Sequence, residues 1–361
     1  MYNIKNIDVI DVSERKNNKI DILSLSKQEL KDYIKIDLST FNIEPFRADQ
    51  IYSWLYKNIE SFEDMANISA EQRKIFDERF YINKINLIQK FESKIDGTVK
   101  YLFELDDLNK IESVLMRYKH GNSVCISTQA GCRMNCAFCA SAIGGLTRNL
   151  LPSEMLLQIM YISKDIGERI SNVVLMGIGE PLDNFNNVMK FLELINSGDG
   201  LNIGYRHISL STCGIADKIE ELRQKNLPVT LSVSLHAPND EIRNKIMPVN
   251  KKWAIDKLLK ICYNYVKTTK RRITFEYILI QGLNDRDSDA FELSQKLKNI
   301  LCHVNLIPAN DVPERKYKAS HIKNINRFCQ ILRENGVNAT VRRKCGKDIN
   351  ASCGQLRNHR P

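Results

Sequence analysis

The chain has 361 residues, of which 43% are hydrophobic, and this is enough apolar material for one large domain and one small one. No run of about 18 or more apolar residues is present, and the opening MYNIKNIDVIDVSERKNNK lacks the apolar core of a signal peptide. These features exclude the membrane-spanning and secreted classes, so we expect a cytoplasmic protein with no membrane partner. The net charge is +10, with the basic excess after residue 100, which favours either an RNA partner or a solvated basic face.

Residues 20–80 contain three short helical patterns. Their apolar residues recur at helical spacing in LSKQELKDYI, FRADQIYSWLYK and SAEQRKIFDERF. The patterns predict a small helical domain over residues 1–97, which we interpret as an RNA-binding accessory domain. Residues 98–118 alternate between polar and apolar and predict a β-hairpin that leads into the larger domain, residues 119–361.

From residue 122 onward, strand, loop and helix patterns alternate about six times. The predicted strands cover 123–128, 172–177, 207–212, 229–235, 273–280 and 302–308. The predicted helices cover 153–166, 185–196, 215–225, 255–268, 286–299 and 321–335. Such alternation predicts an α/β fold with parallel strands, either a partial barrel or an open sheet.

Polar motifs accompany the ends of five of these six strands. In both candidate architectures, ligands gather at the carboxyl ends of the strands, so the motifs predict a single site. They are a cysteine loop, Gly179-Glu180-Pro181, Ser211-Thr212, Ser234-Leu235-His236 and Pro308-Ala309-Asn310.

The cysteine loop consists of Cys132, Cys136 and Cys139 in a C-x3-C-x2-C spacing. Three thiolates can hold three irons of a 4Fe-4S cluster, while the fourth iron is free to chelate S-adenosylmethionine (SAM). The alternative is a zinc knuckle with a remote fourth ligand. The aromatic Phe138 before the last cysteine and the position after the first strand favour the cluster and a radical SAM enzyme.

Other strand-end residues are candidate SAM contacts. Gly179 would let the backbone approach the amino group of SAM, and Glu180 would offer it a carboxylate acceptor. Ser211 and Ser234 could bond the ribose or carboxylate, although serines at strand ends are often only turn residues.

Further thiols divide into two kinds. Cys353, in DINASCGQL beside the basic RRKCGKD run, has the small neighbours and positive surroundings of a nucleophile, although a free cysteine on a terminal tail is the alternative. Cys125, in the first strand, does not fit cluster ligation by its spacing. The remaining candidates lie among apolar residues and are predicted to be buried thiols: Cys262, Cys302 and Cys329.

From about residue 20 to residue 357, the chain resembles the dual-specificity RNA adenine-C2 methyltransferases of the radical SAM superfamily. The resemblance depends on IESVLM, NSVCISTQAGC, GCRMNCAFCA followed by RNL, VVLMGIGEPLDN, SLHAPNDEIRNKIMPVNKKW, NLIPAN and DINASCGQL. It implies a partial (βα)6 radical SAM barrel with a small N-terminal helical domain. It also implies methylation of carbon 2 of one adenine in 23S rRNA at the peptidyl-transferase centre, and of the adenine beside the anticodon in certain tRNAs.

The resemblance further implies roles for individual residues. Cys353 accepts a methyl group from a first SAM, and a second SAM yields the radical that takes a hydrogen from this S-methyl group. The resulting carbon radical adds to the adenine, Cys125 releases the adduct by forming a disulfide with Cys353, and Glu112 acts as general base. The residues that match the family's SAM contacts are Gly179, Glu180, Ser211, Ser234, Leu235, His236 and Asn310. The expected partners are 23S rRNA, tRNA and an electron-donor protein such as flavodoxin or ferredoxin.

Three alternatives stay open at this point. A related enzyme class methylates carbon 8 of the same ribosomal adenine and confers antibiotic resistance, but it typically has alanine where this chain has Pro181, which favours carbon 2. A radical SAM enzyme of another type, such as one for sulfur insertion, would usually need further cysteine clusters. A non-catalytic zinc and RNA-binding protein is the third. Cys213 departs from the family's STSG turn, and we assign it no role.

Overall fold

The computed structural model describes residues 15–16, 18–57 and 59–357, and these form two compact units. Residues 1–14, on which the expected lack of a signal peptide depends, lie outside this part. No helix in the described ranges is both long enough and apolar enough to cross a membrane. The functional division of the chain at residues 97 and 118 stays a prediction.

The first unit combines the N-terminal residues up to Asn86 with residues 151–167 and 186–203. Its small sheet has the order β1-β2-β3. The three predicted N-terminal helices are confirmed, and two helices from later in the chain belong to the same unit. The elements are β1 (Arg15–Lys16), β2 (Lys19–Asp21), α1 (Lys27–Asp37), α2 (Arg47–Leu55), α3 (Ala70–Arg79), β3 (Phe80–Tyr81), α4 (Pro152–Ile166) and α5 (Phe185–Asn196).

Local sequence signals define the ends of these helices. The Ser26 hydroxyl accepts a hydrogen bond from the Glu29 N–H, and the Glu29 carboxylate accepts one from the Ser26 N–H, which together form a capping box at the start of α1. Helix α4 begins at Pro152, whose missing N–H costs nothing in the first turn, and ends before Gly167, which adopts φ +65°.

The second unit contains residues 87–150, 168–185 and 204–361 and is built on a ten-stranded sheet. Its large sheet and small β-ribbon are formed by β4 (Ile85–Glu92), β5 (Val99–Leu105), β6 (Lys110–Tyr118), β7 (Gly121–Cys125), β8 (Gln129–Gly131), β9 (Leu146–Asn149), β10 (Ile170–Leu175), β11 (Ile208–Thr212), β12 (Thr230–Ser234), β13 (Ile273–Leu279), β14 (Cys302–Pro308) and β15 (Ala339–Val341). Its helices are α6 (Ala216–Lys225), α7 (Asp240–Ile246), α8 (Ile255–Thr269), α9 (Asp287–Leu297) and α10 (Ile322–Glu334).

The strand order of the large sheet is β15-β14-β13-β12-β11-β10-β7-β6-β5-β4. All six predicted strands are present and run parallel from β7 to β14, which confirms the α/β class and the partial barrel. The sequence patterns missed two features of this sheet. The short strand β15 extends its parallel part. The predicted hairpin forms β5 and β6 and continues the sheet on the other side, where β6 runs antiparallel to β7 and β5 antiparallel to β6.

Candidate active site

One cavity lies at the carboxyl ends of the parallel strands, where the polar motifs were predicted to gather. It is bordered by residues from the cysteine loop, from the ends of β10 to β14 and from the C-terminal segment. Among the predicted site residues it brings together Cys132, Cys136, Cys139, Gly179, Glu180, Ser211, Ser234, His236 and Cys353.

The backbone of the cysteine loop is held on several sides. The ribbon formed by β8 and β9 brackets it, and the Cys132 N–H donates to the Gly145 carbonyl at 3.1 Å. Within the loop, the Cys139 N–H donates to the Cys136 carbonyl at 3.1 Å. Between these two cysteines, the Ala137 N–H donates to the Ile246 carbonyl, at the end of α7, at 2.8 Å. The loop backbone is therefore fixed by hydrogen bonds within the protein itself.

The three loop thiols suit a cationic metal cluster. Burial raises the pKa of the Cys132 thiol to about 12, and burial and the neighbouring cysteines raise the pKa of Cys136 well above its ordinary value. A cationic core offsets both costs, because it draws the protons from such thiols and neutralises their mutual repulsion. Within the described ranges, no three His, Cys, Asp or Glu side chains converge on the position of a single metal ion. Thiolates around a four-iron cluster bind different irons and need not converge.

The loop after β10 requires glycine at two positions. A Cβ on Gly177 would lie 2.5 Å from the Ile126 carbonyl oxygen. Gly179 has φ +108°, and a Cβ there would lie 2.6 Å from the Cβ of Gln129. Only glycines therefore let this loop pack against the chain that follows β7.

Glu180, in the same loop, is buried and hydrogen-bonded on several sides. Its N–H donates to the side chain of Gln129 at 2.8 Å, and its carboxylate accepts the N–H groups of Leu182 and Cys213 at 3.0 and 2.6 Å. Burial raises the pKa of Glu180. Gln129 was not predicted as a site residue; its signal in the sequence is a polar residue within an otherwise buried strand.

His236 presents a neutral imidazole to the cavity. Its Nδ1 accepts the Ile278 N–H at 3.0 Å, which leaves the proton on Nε2. Burial lowers the pKa of His236 to about 3, and the nearby Arg243 guanidinium acts in the same direction. The ring stands edge-on to Phe138 of the cysteine loop, with centroids 5.0 Å apart.

Arg243, which was not predicted as a site residue, is hydrogen-bonded to two strand ends of the site. Its side chain is completely buried, and its guanidinium donates to three backbone carbonyls at the ends of β11 and β12, those of Cys213, Ser234 and Leu235, at 2.7 to 3.1 Å. The predicted contact residue Leu235 takes part through this carbonyl and does not border the cavity. Arg243 thereby fixes two strand ends relative to each other.

The C-terminal segment is hydrogen-bonded across the cysteine loop. The Ala140 N–H donates to the Gly354 carbonyl at 2.8 Å, and the Ser141 hydroxyl donates to the Leu356 carbonyl at 2.7 Å. Asn310 does not border the main cavity; its side-chain amide donates to the Cys353 carbonyl at 3.0 Å. These bonds hold Cys353 beside the three loop thiols.

Arg342 connects the two remaining candidate thiols. The charge of a Cys353 thiolate is the largest cause that raises the pKa of Arg342, and Cys125 acts in the same direction. The guanidinium also lies 3.5 Å from the buried carboxylate of Glu276. Cys125, the last residue of β7, does not border the main cavity, and burial raises its pKa to about 12. Arg342 was also missed, because the RRK run resembles a solvated basic cluster.

Glu112 lies in β6 and borders neither the main cavity nor the smaller one beside Cys353. Its carboxylate forms an ion pair of 3.1 Å with Lys100 and accepts the Arg357 N–H at 2.8 Å. The predicted base is thus linked to the same C-terminal segment as Cys353. Cys262, Cys302 and Cys329 are buried, as predicted.

Comparison with known proteins agrees with this geometry. Residues 126–293 match the family described as the radical SAM superfamily, and residues 20–82 match the ribosomal RNA large subunit methyltransferase N-terminal domain. The chain is 51% identical to the probable dual-specificity RNA methyltransferase RlmN of Clostridium novyi, over 93% of this chain and 97% of that protein. It is 52% identical to the protein of the same description from Alkaliphilus oremlandii, over 94% of this chain and 98% of that one.

The structural comparison agrees with the sequence comparison. A radical SAM methyltransferase from Sphaerobacter thermophilus superposes with a TM-score of 0.87 at 38% identity, covering 93% of this chain and 99% of the other. The radical SAM family implies a 4Fe-4S cluster and SAM, for which the cavity offers three thiols and polar strand ends. The chain belongs to the family of dual-specificity RNA methyltransferases, within the radical SAM superfamily.

Proposed function

We propose that this enzyme methylates carbon 2 of one adenine in 23S rRNA at the peptidyl-transferase centre, and of the adenine beside the anticodon in certain tRNAs. The relatives at 51% and 52% identity carry the description of dual-specificity RNA methyltransferases. The observation that carries the proposal is that Cys353 borders the same cavity as the three thiols of the cysteine loop. A thiol that carries a methyl group would thereby lie beside the source of radical chemistry.

The cofactors would be held by the residues around the main cavity. Cys132, Cys136 and Cys139 would hold the 4Fe-4S cluster, and the polar groups at the ends of β10 to β12 would bind SAM. When bound together, the cluster and SAM supply one-electron chemistry that can remove a hydrogen atom from an unactivated carbon. An electron-donor protein such as flavodoxin or ferredoxin would reduce the cluster.

Cys353 would act first as a methyl acceptor. Its sulfur takes the methyl group of one SAM by direct displacement, and Arg342 stabilises the thiolate that this displacement needs. Because a second SAM is consumed when hydrogen is removed from the S-methyl group, two molecules of SAM are used for each methyl group transferred.

The thiomethylene radical on Cys353 suits the target atom. Carbon 2 of adenine is electron-poor and does not attack a sulfonium, whereas a carbon radical can add to it. The adenine must first be splayed from its RNA stack, as base-modifying enzymes require. Addition joins the base to Cys353 through one carbon.

Cys125 and Glu112 would complete the reaction. Glu112 would remove the proton from carbon 2, and Cys125 would bond to the Cys353 sulfur, which breaks the bond between that sulfur and the methylene carbon and leaves a disulfide. The methylene carbon takes up a proton to become the methyl group, and the one electron left over would return to the bound cluster. The Glu112 carboxylate that would take the carbon-2 proton contacts Lys100 and the Arg357 N–H.

Mass spectrometry of ribosomal RNA tests the proposal. RNA from a strain that lacks the protein should lose the methyl group on carbon 2 of the target adenine, and a plasmid copy of the wild-type gene should restore it. A copy with Cys353→Ala, which removes the methyl acceptor, should not restore it. Loss of a carbon-8 methyl group instead, or no loss at all, would contradict the proposal.

A further inference from the structure

Cys345 has no place in the reaction described above, yet it lies close to the two thiols that do. A small outer cavity of about 40 Å³ is bordered by Cys345, Cys353, Tyr118, Arg343 and Lys344. Cys353 borders this outer cavity as well as the main cavity. Cys353 therefore borders both the candidate SAM site and a second cavity that another thiol borders.

The chain between the two cysteines forms a tight loop. The Ser352 hydroxyl donates to the Cys345 carbonyl at 2.8 Å, and the Ala351 N–H donates to the Gly346 carbonyl at 3.0 Å. Gly346 has φ +59°, and a Cβ there would lie 2.7 Å from the Cβ of Ala351, so the loop needs glycine at this position. These contacts hold Cys345 against the residue that precedes Cys353.

Cys125 approaches the same region from the sheet. Both Cys125 and Cys345 pack against one apolar cluster, formed by Val114, Met116, Ile178, Ala351 and Leu356. Cys125 does not border the main cavity or the outer cavity, whereas Cys345 is half-buried at the outer one. Two thiols thus pack against one small cluster, and of these only Cys345 borders a cavity that Cys353 also borders.

The surroundings of Cys345 suit thiol exchange. The Tyr118 hydroxyl lies 4.0 Å from the Cys345 sulfur and can donate a hydrogen bond to a thiolate there. The exposed Arg343 and the half-buried Lys344 add positive charge beside the same cavity. Thiolates are the attacking species in disulfide exchange, and positive charge stabilises them.

We propose that Cys345 is an exit thiol that opens the Cys125–Cys353 disulfide left after each turnover; this inference rests on the proposed function. The Cys345 thiolate attacks the Cys353 sulfur, a Cys345–Cys353 bond forms, and the Cys125–Cys353 bond breaks. Cys125 leaves with the electron pair and takes up the proton that Cys345 lost, so the exchange involves no net oxidation. An external dithiol then reduces the Cys345–Cys353 disulfide and returns both thiols.

The raised pKa of Cys125 is consistent with this direction of exchange. A sulfur with a pKa near 12 is a poor leaving group as a thiolate, so the proton that Cys345 lost has to reach Cys125 as the Cys125–Cys353 bond breaks; the protonated Cys125 thiol is then a poor nucleophile for return attack on Cys353. The oxidised pair is thereby moved from the buried strand β7 to the outer cavity.

Disulfide mapping tests the exchange independently of turnover. The full-length protein is oxidised with oxidised glutathione, its free thiols are alkylated, and it is digested with trypsin, which separates Cys345 in CGK from Cys353 in DINASCGQLR. The proposal predicts a disulfide cross-link between these two peptides in the wild type, and a larger amount of it in the Cys125→Ser variant. If no such cross-link forms in either protein, the proposal is wrong.

Kinetics with Cys345→Ser test the role in the cycle. The first turnover should give the same yield of methylated RNA as the wild type, and the steady-state rate with an external dithiol should fall roughly tenfold, because the dithiol must then attack the Cys125–Cys353 disulfide directly. The matched control is Cys302→Ser, which changes a thiol at the start of β14 and should leave both phases unchanged. An unchanged steady-state rate in Cys345→Ser overturns the exit thiol alone, whereas a wild type that makes no methylated adenine overturns the proposed function itself.

Discussion

Arg342 links the candidate thiols to the rest of the site. Negative charge on Cys353 or Cys125 raises the pKa of its guanidinium, which lies 3.5 Å from the Glu276 carboxylate. This one side chain can therefore stabilise negative charge on Cys353 before methylation. His236 makes a different contribution, because its low pKa keeps a neutral N–H donor at the cavity throughout the physiological pH range.

Replacing Glu112 with glutamine tests its role in proton transfer while keeping its hydrogen bond to the C-terminal segment. The side-chain amide of the Glu112→Gln variant would still offer an acceptor to the Arg357 N–H but could not act as a base. We expect the turnover number for RNA methylation to fall by about 100-fold or more, as for the loss of a general base, with little change in KM for RNA. S-methylation of Cys353, measured by peptide mass spectrometry, should persist because Glu112 has no part in that step.

A conservative variant provides the matched control for Glu112. Glu112→Asp keeps the charge and should recover part of the lost rate. Wild-type turnover by Glu112→Gln would show that the carboxylate is not the base. If the Glu112→Gln variant also lost methylation of Cys353, Glu112 would instead be a residue that positions the C-terminal segment.

Asp21 is a buried acid that joins two elements of the first unit. Its Oδ2 accepts the hydroxyl groups of Ser24, after β2, and Ser153, in α4, whereas its Oδ1 has no partner among the described residues. Burial raises the pKa of Asp21 from 3.8 to about 6, against the opposing effect of the two hydroxyls. The folded state therefore prefers the protonated form.

The raised pKa of Asp21 makes the folded protein less stable as the pH rises from about 4 to about 6. Below about pH 4 the Asp21 carboxyl is protonated in both the folded and the unfolded protein, so it has no effect on the free energy of unfolding. Between about pH 4 and pH 6 the carboxyl ionises in the unfolded protein but not in the folded one, so the free energy of unfolding decreases as the pH rises. Asp21→Asn removes the ionisation and should be more stable than the wild type at pH 7 by about 3 kcal/mol, the equivalent of the shift. The difference should vanish near pH 4, as measured by denaturant unfolding. Equal stability of the two proteins at pH 7 would contradict the assignment, and Asp37→Asn, at an exposed position in α1, is the control.

How far the sequence predicts these elements depends on how local their signals are. The strands, the cysteine loop and the polar residues at the strand ends were predictable, because each has a pattern within about ten residues. Arg243 was not, since three of its carbonyl partners come from the ends of β11 and β12 and meet only in the folded sheet. The grouping of α4 with the N-terminal helices depends likewise on distant partners, such as the Asn83 side chain that donates to the Ser153 hydroxyl.

At the scale of the whole molecule, the chemistry belongs to the second unit. The cysteine loop, Cys125, Glu112 and Cys353 all lie in it, although they are spread over more than 200 positions from Glu112 to Cys353. The C-terminal segment brings them together, because its hydrogen bonds reach the cysteine loop, Asn310 and Glu112. The central claim of the account is that this segment carries the methyl group to RNA on Cys353.

A pulse and chase of the methyl group tests that claim most directly. The enzyme is first methylated with SAM that carries an isotopically labelled methyl group, free SAM is removed, and unlabelled SAM, RNA and reductant are added for a single turnover. The account predicts that the label moves from Cys353 to carbon 2 of the adenine, and that Cys353→Ala yields no methylated RNA. An unlabelled methyl group in the product of the first turnover, with the label retained on the protein, would contradict it.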